Sequence, residues 1–168
     1  MLHPNDFKRL LSHWASGVTI ITTRDAEGRP AGLTASAFSS VSLSPPLILV
    51  CVAENAQSFP ALRASRGFAV NILALGQEAI SNRFASSVGS AHEKFDGVPH
   101  RDGKLGFPLL GGALAHLECS TVHAYAGGDH TIFVGQVEAG ETTEESALEA
   151  LLYFRGRYGS LRPPGGSS

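Results

Sequence analysis

Apolar residues in this chain come in short runs of strand length, separated by turn residues, and this spacing narrows the fold more than any other feature. VTIITT (18–23) is β-branched throughout, and LILVCVA (47–53) is a continuous apolar run that reads as a strand buried on both faces. Phe68–Ile72, a long strand within Leu109–Tyr125, and Asp129–Ala139 follow. DAEGRP (25–30) is turn chemistry, so Ala31–Phe38 is expected to pair back as a hairpin. Ser39–Ser44 is short and alternates polar with apolar residues, and Pro45-Pro46 punctuates the chain after it.

Helical spacing is confined to short pieces. Residues 5–15 carry Phe7, Leu10, Leu11 and Trp14 on one face, with Asn5 or Asp6 as cap and Gly17 as stop. A helix from Asn55 or Ser58 to about Arg66, another over Gln77–Ala85, and a brief helix or turn over Ser146–Leu152 complete the list. Residues 86–108 read as a long loop with one helical turn at Ala91–Phe95, and loops of that length in a compact domain are usually functional or mobile. Strands without regular βαβ alternation favour a closed antiparallel barrel over a doubly wound sheet. Residues 1–160 form one domain with no repeat or linker, and 161–168 are a flexible tail.

Composition excludes several classes of function. Of the 168 residues 43% are hydrophobic and only 17% charged, below the average of about 25% for soluble domains. Such a chain has less solvated surface to offer, which a second copy of itself would explain. A net charge of −2 with no basic run argues against nucleic acid. The N-terminus has no apolar leader core, and no run approaches the roughly 18–20 residues of a membrane span. The expectation is a soluble cytoplasmic protein. Cys51 and Cys119 each sit in an apolar run and read as small buried hydrophobes rather than a bridge.

Familiar catalytic motifs are missing. No G-x-G-x-x-G follows a strand, and there is no H-E-x-x-H, C-x-x-C or G-x-S-x-G. Gly97–Lys104 approaches a P-loop but has one residue too many between its glycines, with Leu105 where Ser or Thr is needed. No catalytic side chain and no metal site is indicated, so a cofactor would have to carry any chemistry.

Three segments stand apart. In GLTASAFSSVSLSPPLILVCV (32–52), Thr34, Ser36, Ser39, Ser40, Ser42 and Ser44 alternate with apolar residues. Small hydroxyl residues let a backbone approach a flat ligand and bond its polar edges, although the solvent face of an amphipathic strand looks the same. GGDHTIFVGQV (127–137) opens a strand with His130, which could contact a ligand or be an incidental surface histidine. YFRGRYG (153–159) alternates aromatic residues and arginines, suited to a phosphate and a ring or to an exposed cationic edge.

In this order, with GVTIITT, FAVNIL (68–73), NRFA (82–85) and KFDG (94–97), these segments resemble the short-chain flavin reductases, the reductase components of two-component flavin-dependent monooxygenases. The resemblance runs from about Phe7 to Gly159. It implies a mainly β, FMN-binding split barrel that forms a homodimer with flavin near the interface. Carried over by position, Thr34, Ala35 and Ser36 line the isoalloxazine, and Ser39, Ser40 and Val41 extend that wall. Cys51, Val52, Asn55 and Ser58 lie along the ribityl and phosphate, with Phe84 and Ala85 nearby and Arg83 as an extra counter-charge. His130 and Tyr158 meet the nicotinamide cofactor. The implied activity is hydride transfer from NADH or NADPH to FMN or FAD without a catalytic side chain, supplying an oxygenase partner. The alternatives are a non-catalytic flavin carrier or sensor, a split-barrel oxidase acting on a pyridoxal-type phosphate, and a ligand-free dimeric interaction domain.

Overall fold

The structure, a computed structural model, describes residues 1–143 and 148–161. Residues 146–147 of the expected Ser146–Leu152 turn and residues 162–168 of the expected tail lie outside the described part. A short helix α1 (Pro4–Leu11) precedes β1 (Ser16–Gly17), β2 (Thr19–Arg24), β3 (Pro30–Ala35), β4 (Phe38–Leu43) and β5 (Pro46–Ala53). Then come α2 (Phe59–Ala64), β6 (Gly67–Ile72), α3 (Glu78–Ala85) and a 3₁₀ turn over Glu93–Phe95. The chain ends with β7 (His100–Asp102), β8 (Pro108–Leu110), β9 (Ala115–Gly127), β10 (His130–Thr142), β11 (Leu152–Phe154) and β12 (Arg157–Gly159).

Seven strands form one antiparallel sheet in the order β3-β2-β6-β9-β10-β5-β4. The β2–β3 turn forms where the DAEGRP chemistry calls for it. Asp25 accepts the backbone N–H groups of Glu27 at 3.1 Å and Arg29 at 2.8 Å, and Gly28 takes a positive φ of 77°. Closure is incomplete. The edges β3 and β4 do not pair with each other, although only Ser36 and Ala37 separate them in sequence. One backbone bond, from Cys51 N–H to the Ala37 carbonyl at 3.0 Å, ties their link to β5. The barrel is therefore split at Ser36–Ala37.

Two apolar clusters hold the sheet. The inner one joins Ile21, Val50, Val52, Val70, Phe68 and Phe133 to Leu62 of α2. The second packs Val18 and Ile20 on Phe84 of α3, Phe95, Leu110 and Leu151. Both faces of β2 and β6 are consequently buried. Threonines on β2 stay satisfied there: Thr19 donates to the Ala35 carbonyl and Thr23 to that of Gly67. β5 departs from expectation, because it is buried on one face only. Ile48, Val50 and Val52 enter the core, while Leu47, Leu49 and Cys51 are half-buried on the opposite face.

Three further expectations are corrected. Helix α1 is capped by His3, whose Nδ1 accepts the Asn5 N–H, and ends at Leu11 rather than Ala15. The stretch 86–108 is not all loop, because β7 and β8 pair as a small hairpin around Gly103 and Gly106. Of the Ser146–Leu152 segment, the described end is extended: Ala150 bridges Ala74, and Leu152 enters β11 to pair with Gly17 and Gly159. Among the described residues no helix is long and apolar enough to cross a membrane.

Candidate functional site

The split leaves a cavity of about 410 Å³. Leu33–Ala37 of β3 and its link form one wall, and Cys51 and Ala53 of β5 line the cavity as well. The turn Asn55–Gln57, the end of α3 with the residues after it (Phe84–Ser87), Lys94 and His130 complete the lining. Most of these side chains are small, so the backbone itself is near the ligand space. Close packing of α3 on β3 depends on Gly32: a Cβ there would lie 2.9 Å from the Phe84 ring. The Thr34 hydroxyl fixes the same contact by donating to the Ser81 carbonyl at 2.6 Å.

At the other end of the link, Ser36 and Ala37 fall between the two strand ladders. Among the described residues, neither backbone N–H has a hydrogen-bond partner. These are two adjacent donors on the cavity wall, a suitable arrangement for the polar edge of a flat ligand or for developing negative charge.

Lys94 supplies the cavity's charge. Its side chain follows the 3₁₀ turn inward, where Phe95 packs edge-on against Phe84 with ring centroids 4.9 Å apart. Only 6% of Lys94 is exposed. Its Nζ donates to the Phe84 carbonyl at 3.2 Å, and no carboxylate pairs with it among the described residues. Burial pushes its pKa below the ordinary lysine value. A cation in that position is poorly compensated by its own protein and favours an anion from outside.

His130 opens β10 beside Ala53 of β5 and Gly127 of β9. Its Nδ1 lies 2.7 Å from an Asp129 carboxylate oxygen. The hydrogen bond from His130 holds Asp129 below the usual carboxylate range. With Nδ1–H donated there, the neutral ring keeps Nε2 as an acceptor.

The expected site residues divide sharply. Thr34, Ala35, Ser36, Cys51, Asn55, Phe84, Ala85 and His130 line this one cavity. Ser39 instead lines an adjacent groove of about 650 Å³ with Leu11, Trp14, Phe38, Leu49 and Tyr153. Ser36, Ala37 and Cys51 form the rim that the cavity and the groove share. Ser40 and Val41 sit on edge strand β4, away from the cavity lining. Val52 is fully buried in the inner core. Ser58 is 1% exposed and its hydroxyl donates to the Gly32 carbonyl at 2.6 Å, so it braces β3. Arg83 lines a separate hollow with Ile80, Gly97 and Pro99. Tyr158 lies in another depression with Arg155 and Arg157, its hydroxyl 2.8 Å from both Ser81 Oγ and Asn82 Oδ1. The two cysteines also differ. Cys51 is half-buried on the cavity rim, against the reading of a buried hydrophobe, while burial pushes the Cys119 thiol up to about 12.

Lys94, Gln57, Ser86 and Ser87 are cavity residues absent from the sequence candidates. KFDG carried the lysine as part of a motif, but nothing in a polar loop signals that its side chain is buried.

Comparison with known proteins places this geometry. The family described as "Flavin reductase like domain" matches residues 11–162. The reductase subunit HsaB of a flavin-dependent monooxygenase from Rhodococcus jostii (strain RHA1) is 38% identical over 96% of this chain and 80% of its own length. A Rhizobium meliloti (strain 1021) protein described as "Probable flavin reductase" is also 38% identical, and this chain spans 50% of that relative's length. Among solved structures, the NADH:FAD oxidoreductase of Streptomyces globisporus C-1027, in complex with NAD and FAD fragments, superposes with a TM-score of 0.87. It is 39% identical, with 99% of each chain covered.

Proposed function

The chain belongs to the family of flavin reductase-like domains, and from that premise we propose that its cavity holds FMN or FAD, which NADH or NADPH reduces there for use by an oxygenase component. Lys94 carries this reading. It is a buried cation with no carboxylate partner among the described residues, in a cavity walled mostly by small side chains. A flavin's phosphate matches the cation, and its flat ring matches the walls of β3 and β5.

Bound flavin would supply the hydride-accepting chemistry. The chain's own residues bind and orient. The free N–H groups of Ser36 and Ala37 are donors suited to the polar edge of the ring, where negative charge grows on reduction. Lys94 would neutralise the phosphate end, with Ser86 and Ser87 lining the same cavity. Thr34, Ser58 and Gly32 hold β3 in place for these contacts. His130, with Nδ1 tied to Asp129, offers Nε2 as an acceptor for the carboxamide of the nicotinamide. Tyr158, bonded to α3, would act on the nicotinamide only by bracing that helix.

The open flank supports a homodimer. No residue of α1 is buried, Trp14 is 78% exposed and Leu43 is 95% exposed. A second copy over the groove would cover this apolar surface and narrow the shared rim of the cavity. The names of the relatives, reductase subunits and an NADH-dependent enzyme, support the oxygenase partner and favour NADH.

The test is to mix the protein with NADH or NADPH and FMN, FAD or riboflavin in air and follow the nicotinamide absorbance. Flavin-dependent loss of that absorbance is expected. In the same assay His130→Ala raises the KM for NADH about tenfold while flavin affinity stays within about twofold, the size of one lost hydrogen bond. A protein that quenches flavin fluorescence but leaves both nicotinamides unoxidised would be a carrier or sensor instead.

A further inference from the structure

Gln57 lies in the turn between β5 and α2 and lines the cavity, yet no motif singles it out. Its carboxamide nitrogen donates to two carbonyls, Ser87 at 2.8 Å and Gly89 at 2.6 Å. Both protons of the amide are thus spent on the segment that follows α3. That segment is itself tied to the 3₁₀ turn. The Ser90 N–H donates to a Glu93 carboxylate oxygen at 2.6 Å, and the Glu93 N–H donates back to Ser90 Oγ at 3.3 Å. Lys94 comes next in the chain. Among the described residues, no other hydrogen bond joins the Asn55–Gln57 turn to residues 86–94.

One amide therefore spans the polar end of the cavity, holding the segment that carries Ser86, Ser87 and Lys94 against the turn after β5. The opposite end has no such dependence. Its walls are sheet strands, fixed by the β2–β3 and β5–β10 ladders. We propose that Gln57 is a specificity-determining positioning residue, which sets the affinity for the phosphate of a phosphorylated flavin and leaves recognition of the ring unaffected. The inference rests on the flavin reading above. Loosening the clasp lets the Ser86–Ser87 segment move relative to Lys94, which weakens contact with a phosphate and changes nothing for a flavin that lacks one.

Dissociation constants for FMN and riboflavin, read from quenching of flavin fluorescence in the wild type and in Gln57→Ala, test it. The expected result is a rise of about tenfold for FMN with riboflavin within about twofold. Gln57→Glu keeps the length, cannot donate to the two carbonyls and adds negative charge, so it weakens FMN at least as much. Equal weakening of both flavins, or an unchanged FMN constant in both variants, overturns the role of Gln57. A wild type that quenches neither flavin overturns the flavin reading itself and this inference with it, and the wild-type measurement alone tells that failure from the first.

Discussion

The two halves of the Thr34–Ser44 segment both mix small hydroxyl residues with apolar ones, and the structure puts them in different surroundings. Thr34–Ala37 walls the cavity, with α3 packed behind β3 and a buried cation facing the same space. Phe38–Leu43 is an edge strand, β4, paired on one side with β5 and interrupted between Ser40 and Ser42. Ser39 there faces the groove beside Trp14 rather than the cavity. The link Ser36–Ala37 stands between the two environments and lines both. Serine alternation alone therefore says little about ligand binding. What matters is the element packed behind the strand: β3 is backed by a helix that closes a cavity, whereas β4 borders an open groove.

Aromatic substitutions break or sharpen this contrast most directly. Ala53→Phe adds a ring where β5 lines the cavity and leaves the strand's propensity for pairing intact. Flavin affinity should fall about a hundredfold, roughly 2.7 kcal/mol. Ser40→Phe, on β4, should leave it within about twofold. Quenching titrations of the two variants check the pair, and a loss of affinity in Ser40→Phe would extend the site into β4 and erase the contrast.

The groove side predicts a different defect. Trp14 is the largest exposed apolar side chain on that flank, and truncation of a buried interface tryptophan commonly costs about 2 kcal/mol or more. Trp14→Ser should raise the dimer dissociation constant about thirtyfold, measured by sedimentation equilibrium. A wild type that sediments as a monomer would remove the second copy from the account of the groove.

The strands and the barrel class were legible because β-branched runs and turn chemistry are local signals. The β2–β3 turn is held by short-range contacts of Asp25 and the positive φ of Gly28. Burial was less legible. LILVCVA reads as buried on both faces, yet Leu47, Leu49 and Cys51 remain half-buried, because whether a helix covers a strand is decided far away in sequence. The same reason separates the candidate residues. Ser58 and Tyr158 carry ligand-capable hydroxyls, but Gly32, Ser81 and Asn82 engage them first, over separations of 26 to 77 residues. Lys94 was hidden in the opposite sense, as a charged residue in a polar loop that is buried next to the packing of Phe95 on Phe84.

Lys94 gives the cavity half its electrostatic signature, which β4 lacks, and pH isolates it. Lys94→Met should weaken FMN about tenfold near neutral pH and riboflavin hardly at all, since only the phosphate is lost as a partner. Its sensitivity to pH follows from desolvation, which lowers its pKa in the folded chain from 10.5. Between the lowered value and the ordinary one, the unfolded chain binds more protons at this position. Its contribution to the stability of the ligand-free protein therefore rises with pH across that window. FMN affinity runs the other way, falling as pH climbs through the lowered value and Lys94 gives up the charge that the phosphate needs. Riboflavin affinity should stay flat over the same range. Quenching titrations at alkaline pH, in the wild type and Lys94→Met, measure both slopes. A fall in FMN affinity that persists in Lys94→Met would assign the titration to another group and leave the cavity's charge unexplained by this lysine.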